Sequence, residues 1–70
     1  MEAIELKQIR HLAVGDTIVS ASGAAYEVTR LLRVGRGIRV HYLTADGRAD
    51  KFTAAPEAIS RVRRQLAAAG

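Results

Sequence analysis

Seventy residues, with eleven Lys and Arg against seven Asp and Glu, carry a formal net charge of +4, and 49% of the chain is hydrophobic. A chain of this length forms one domain whose core buries only about 60% of the unfolded surface. Cysteine is absent, which excludes disulfides, thiolate metal sites and a cysteine nucleophile, and fits a reducing compartment.

The charge is unevenly spread. Residues 1–29 sum to −2 and residues 30–70 to +6, an asymmetry that points to an anionic partner. A compositional cause competes with this reading. Nine of the eleven cations are arginine, thirteen residues are alanine and asparagine is absent, as a GC-rich bacterial or bacteriophage genome would impose whatever the function. Met1 to Glu5 lack the basic-then-apolar run of a secretion signal, and no apolar stretch approaches the roughly 18 residues of a membrane span. The expectation is a soluble cytoplasmic protein with no membrane association.

Taken in chain order, short apolar–polar runs alternate with turn signals about every ten residues, the spacing of a small all-β domain. Ala3 to Ile9 is a first run of ambiguous register. Leu12 to Asp16 is a loop in which Gly15 supplies a positive φ and Asp16 accepts from backbone amides beyond it. Thr17 to Ala21 is a strand, Ser22-Gly23 a tight turn, and Ala24 to Val34 the longest strand, with Tyr26 and Val28 on one face. Leu31-Leu32 breaks the alternation and predicts a bulge or bend.

Gly35-Arg36-Gly37 turns the chain into Ile38 to Thr44, where Ile38, Val40 and Tyr42 face inward and Arg39 and His41 outward. Asp46-Gly47 reads as a type I′ hairpin turn, Arg48 to Thr53 as the returning strand, and Pro56-Glu57-Ala58 as a short 3₁₀ turn. Residues 57–69 admit strand, helix or coil. The spacing of Ile59, Val62 and Leu66 suits an amphipathic helix, whereas a strand over Ile59 to Arg63 would pair an otherwise open sheet edge. The strand is preferred.

The succession of Leu12, Val14, Gly15 and Asp16, then Tyr26 and Val28, Gly37, Ile38 and Val40, Gly47 and Val62 resembles small SH3-like barrels. The nearest branches are the KOW and Tudor-like modules of nucleic-acid-handling and adaptor proteins. The resemblance implies a five-stranded barrel over residues 1–66 with a short 3₁₀ turn near Pro56 and a flexible C-terminal tail at 67–70. The alternative is a four-stranded sheet with a C-terminal helix over 56–69. Function does not follow from such a likeness. A Tudor aromatic cage needs several clustered aromatics, and the chain has only Tyr26, Tyr42 and Phe52. An SH3 peptide groove is aromatic- and acid-rich, which this chain is not.

Catalysis finds no support in the residue inventory. A nucleophilic mechanism needs Ser, Thr or Cys beside an oriented base, and the two histidines, His11 and His41, fall in a loop and on an outward face. Two histidines thirty residues apart without cysteine do not make a metal site. Asp46-Gly-Arg-Ala-Asp50 lacks the further oxygen ligands of a calcium loop, and Gly35-Arg36-Gly37 lacks the Gly-Lys-Ser/Thr ending of a phosphate loop. The expectation is a non-enzyme with no metal and no cofactor.

What remains is binding. Arg33, Arg36 and Arg39 flank the 35–37 turn, Arg48 and Lys51 lie on the neighbouring hairpin, and Arg61, Arg63 and Arg64 sit near the end of the chain. Brought to one end or face, they would grip the phosphate backbone of nucleic acid or an acidic protein partner, since arginine bonds phosphate and carboxylate bidentately. Apolar residues such as Leu31, Leu43 and Val19 would serve a protein partner or a homo-oligomer, with strand-edge pairing through the first strand or the 59–63 segment. A small anionic ligand such as a nucleotide, held at a subunit interface, is the further alternative. A solvated basic surface that keeps the protein soluble is the plainest account of the arginines. The feature that discriminates is whether exposed apolar and basic surfaces coincide.

Overall fold

The computed structural model describes residues 3–64, and they contain six strands and no α-helix. The strands are β1 (Ala3–Gln8), β2 (Thr17–Val19), β3 (Ala25–Val34), β4 (Gly37–Thr44), β5 (Ala49–Ala54) and β6 (Ile59–Arg64). They form one antiparallel sheet in the order β1-β6-β2-β3-β4-β5. All-β is therefore correct, but the sheet has six strands rather than five. β1 and β5 end the sheet without pairing to each other. The helical alternative fails over 59–64, because β6 is held between β1 and β2: Glu5 opposes Val62 on one side and Ile18 opposes it on the other. The tail at 67–70 lies outside the described residues.

Two-residue alternation puts one face of this sheet in the core. Ile18, Val28, Ile38, Val40 and Val62 are buried there, with Val28 and Val40 fully inaccessible. Tyr26, Leu31, Phe52, Ala54 and Ala58 pack around them. Ile9–His11, expected as strand end and loop, is instead a 3₁₀ helix that sends Ile9 and Leu12 into the base of the core. It is anchored by the amides of Ile9 and Arg10, which donate to the carbonyls of Ala58 (2.8 Å) and Pro56 (2.9 Å). Among the described residues no polar or charged one is buried.

Several local expectations shift. The bulge lies at Thr29, not Leu31-Leu32: the register passes from Val28 opposite Tyr42 to Arg30 opposite His41. This placement lets Val28 and Leu31 share the inner face and turns Arg30 outward. The Asp46-Gly47 turn is not type I′, because Asp46 keeps a negative φ and only Gly47 is positive, at 84°. Gly47 N–H donates to Thr44 at 2.9 Å and Thr44 N–H to Arg48 at 2.8 Å, which is a type I turn closed by a glycine bulge. The segment at Pro56 does form the short turn expected there, closed in the 3₁₀ pattern by Ala58 N–H to Ala55 at 3.0 Å. Gly15 does take a positive φ, 100°, but Asp16 accepts from the upstream amide of Ala13 at 2.9 Å, and not from one beyond it.

Asp16 also meets Lys7 of β1 at 3.1 Å, with both side chains only partly exposed. This pair and the Ala13 bond tie the 12–16 loop to the first strand. Replacing Asp16 with Ala removes both and is expected to cost about 1–3 kcal/mol, measured by urea denaturation. In the core, Val40→Ala leaves a cavity no neighbour can fill and is expected to cost about 2 kcal/mol, against under ~0.5 kcal/mol for Val34→Ala at the exposed hairpin end.

Candidate functional site

Register partners on adjacent strands place their side chains on the same face, with Cβ atoms about 5 Å apart. Arg30 opposes His41 and His41 opposes Lys51, so these three form one row across β3, β4 and β5 on the outer face. The next row holds Leu32, Arg39 and Thr53, and beyond it lie Val34 and Gly37. None of these positions is a carboxylate. His41 Nε2 is enclosed within this row and makes no hydrogen bond. Opposite the row's other side comes Glu27 with Leu43 and Ala49.

The residues anticipated as a site are therefore split. Arg39 and Lys51 belong to the outer basic face, as diagonal neighbours. Arg36 sits exposed in the two-residue β3–β4 turn beside them. That turn has positive φ at its first residue, Gly35 (58°), and negative φ at Arg36, the pattern of a II′ hairpin that follows the sheet twist. Arg33 opposes Ile38 on the inner-face side but is exposed, where β3 runs past the core. Arg48 lies in the β4–β5 turn at the opposite end of β4, about 26 Å away at ~3.3 Å per residue. Its contact with Asp46 is a 4.0 Å pair between well-exposed side chains, of little energetic weight.

The β6 arginines are elsewhere again. Arg61 opposes Leu6 and Arg63 opposes Ile4 at the β1 end of the sheet. Arg63 also lines a polar cleft with Lys7, Glu5, Asp16 and Glu27, so both signs of charge share it. Arg64 closes β6 opposite Ala3, and its side chain is outside the described set. Arg30 and His41 were not anticipated as site residues. Moving the bulge to Thr29 is the signal that would have found Arg30, because it turns that residue outward beside His41.

The inner face holds the three aromatics in one cluster. Tyr26 and Tyr42 meet edge-on at 4.9 Å and Tyr42 lies 5.9 Å from Phe52. They pack on the core and leave the basic outer face without a stacking platform. Leu31, anticipated as exposed, packs on the core. The large apolar residues left exposed include Ile4, Leu6 and Ile59 at the β1 end, with Val34 and Leu43 at the corners of the basic face. Among the described residues no group of three or more His, Asp or Glu is arranged to hold a metal ion, and no helix is long and apolar enough to cross a membrane. The chain matches no family model, and no curated protein or solved structure is detectably similar to it.

Burial pushes the Tyr42 phenol above its ordinary pKa, and the Asp50 carboxylate and Tyr26 add to the shift. A raised phenol pKa favours the folded state while Tyr42 stays protonated. That contribution is whole below the ordinary tyrosine value of about 10 and is lost as pH rises through the native value. The melting temperature is expected to fall between pH 9 and pH 11, and to fall less in Tyr42→Phe, which cannot ionise there. Thermal melts of both proteins at the two pH values read the difference.

Proposed function

We propose that this chain is a non-catalytic binding module whose basic outer face contacts the phosphate backbone of nucleic acid. The observation that carries the reading is the row Arg30–His41–Lys51 with Arg39 beside it, free of carboxylates through to the hairpin end. Arg36 extends the patch at the turn. Of the exposed large apolar residues, Leu6 (67%) and Ile4 lie on the strand at the far end of the sheet, Ile59 on the strand beside it and Val14 (64%) in the 12–16 loop. The exposed apolar residues at this face, Val34 and Leu43, stand at its corners and not at its centre, which suits a polar, hydrated phosphate backbone better than a protein partner, whose interface would carry buried aromatic or aliphatic anchors at its centre.

The SH3-like reading belongs with this proposal. Strands β2 to β6 run as five consecutive antiparallel strands with the last returning beside the first, which supports a small SH3-like unit to which β1 is added. No outward aromatic or helix reads bases, so the face positions on phosphates without selecting sequence.

The test is binding to a short DNA or RNA duplex by fluorescence anisotropy over a salt series. Arg30→Gln, Arg39→Gln and Lys51→Gln combined should weaken binding and reduce the slope of log K against log salt by about 2.7 on DNA, at ~0.9 per phosphate contact. Arg48→Gln with Arg61→Gln should change the slope by less than about 1. Equal losses from both sets would mean that bulk charge, not this face, drives binding. No binding at low salt, together with capture of an acidic protein by the same face, would replace nucleic acid with a protein partner.

A further inference from the structure

We infer that two copies of this chain associate by antiparallel pairing of β1 with β1 about a two-fold axis at Leu6. β1 is the last strand of the sheet and is paired on one side only, by β6. A free edge of this kind offers unpaired backbone donors and acceptors to another strand. On its outer face it carries Ile4 and Leu6, 49% and 67% exposed, and Ile59 of β6 lies one strand further in, opposite Gln8 and 59% exposed. The other free edge, β5, differs. Its large apolar residue Phe52 packs inward on Tyr42, and its outer face holds Lys51 and Thr53.

The occupant is argued from the charge pattern of the strand, Ala3-Ile-Glu-Leu-Lys-Gln8. Glu5 and Lys7 flank Leu6 symmetrically and both project to the face opposite Leu6. With the axis at Leu6, Glu5 of each copy faces Lys7 of the other, Leu6 faces Leu6, and Ile4 faces Gln8. An axis at Glu5 would oppose the two glutamates, and one at Lys7 the two lysines, each an unfavourable like-charge pair. A shift by one residue would bring the outer face of one copy against the inner face of the other. The pairing centred on Leu6 thus satisfies faces and charges together while engaging the whole of the Ala3–Gln8 strand. Lys7 can hold the second copy's Glu5 while keeping Asp16 (3.1 Å), since an ammonium group has three donors. The outer faces then join, bringing Leu6 of both copies together at the axis with Ile4 of each copy beside the other's Gln8, next to Ile59, and Arg61 and Arg63 flanking them. This inference is independent of the phosphate reading, because it uses the opposite end of the sheet.

The experiment combines sedimentation over a wide concentration range with cysteine cross-linking, which the cysteine-free chain makes clean. The wild-type protein should dimerise reversibly, and Glu5→Lys should raise the dissociation constant at least tenfold by making both cross-strand pairs like-charged. Circular dichroism confirms that this variant is folded. Leu6→Cys, directly opposite itself across the axis, should form a disulfide-linked dimer under mild oxidation, whereas Thr53→Cys at the other edge should not. A protein that stays monomeric at millimolar concentration overturns the proposal. So does a dimer untouched by Glu5→Lys, or cross-linking at Thr53→Cys as fast as at Leu6→Cys.

Discussion

One extra residue in β3 governs the rest of the arrangement. Because side chains alternate with a period of two, an inserted residue exchanges the faces of everything beyond it. Before Thr29, Tyr26 and Val28 point inward. After it, Leu31 points inward and Arg30 and Leu32 outward. Without the insertion Leu31 would leave the core and Arg30 would face Val40 and its neighbours. An unpaired guanidinium in that position would cost more than the small core can supply. The bulge therefore serves packing and charge at once: it completes the apolar face and moves a cation into line with His41 and Lys51.

The core it completes is thin. Among the described residues seven apolar side chains are buried, and only Val28 and Val40 are sealed completely. Such a core leaves little margin, which gives the ties at its rim more weight than they would have in a larger domain. The 3₁₀ helix closes the base with Ile9 and Leu12, and the Lys7–Asp16 pair holds the following loop to β1. The same thinness leaves β1 under-covered. Among the described residues, its outer apolar side chains have no layer above them and its edge has no strand beside it.

Charge is segregated along the sheet. At the β1–β6 end, Arg63 shares a cleft with Glu5, Asp16 and Glu27, so opposite charges lie together. Across β3–β5 the row of Arg30, His41 and Lys51 itself contains no carboxylate, with Glu27 in the row on one side and Asp50 beside Lys51 on β5. The net charge of the second half of the chain thus does not become one continuous basic surface. It divides between a mixed-charge cleft at one end and the row of Arg30, His41 and Lys51 at the other, and a concentration of one sign of charge raises the local potential.

The sequence by itself determined the fold class and much of the inward face. Alternation placed Tyr26, Val28, Ile38 and Val40 inside and Arg39 and His41 outside, because a pleated strand allows no other assignment once one face is dry. Glycines marked the turns, although the turn at Gly47 follows its own hydrogen bonds and not the dipeptide rule. What the tertiary structure decided were the relations between distant strands. The run Val28-Thr-Arg-Leu-Leu32 admits a bulge at more than one residue, and the choice is made by which leucine fits beside Val40 on the neighbouring strand. The company of each arginine was likewise invisible in one dimension. Arg63 meets carboxylates that lie 36 or more residues earlier, Arg48 is held at the far end of β4, and Arg30 joins Lys51 across two strands. Local sequence sets which way a side chain points, but only the strand order and register set what stands next to it.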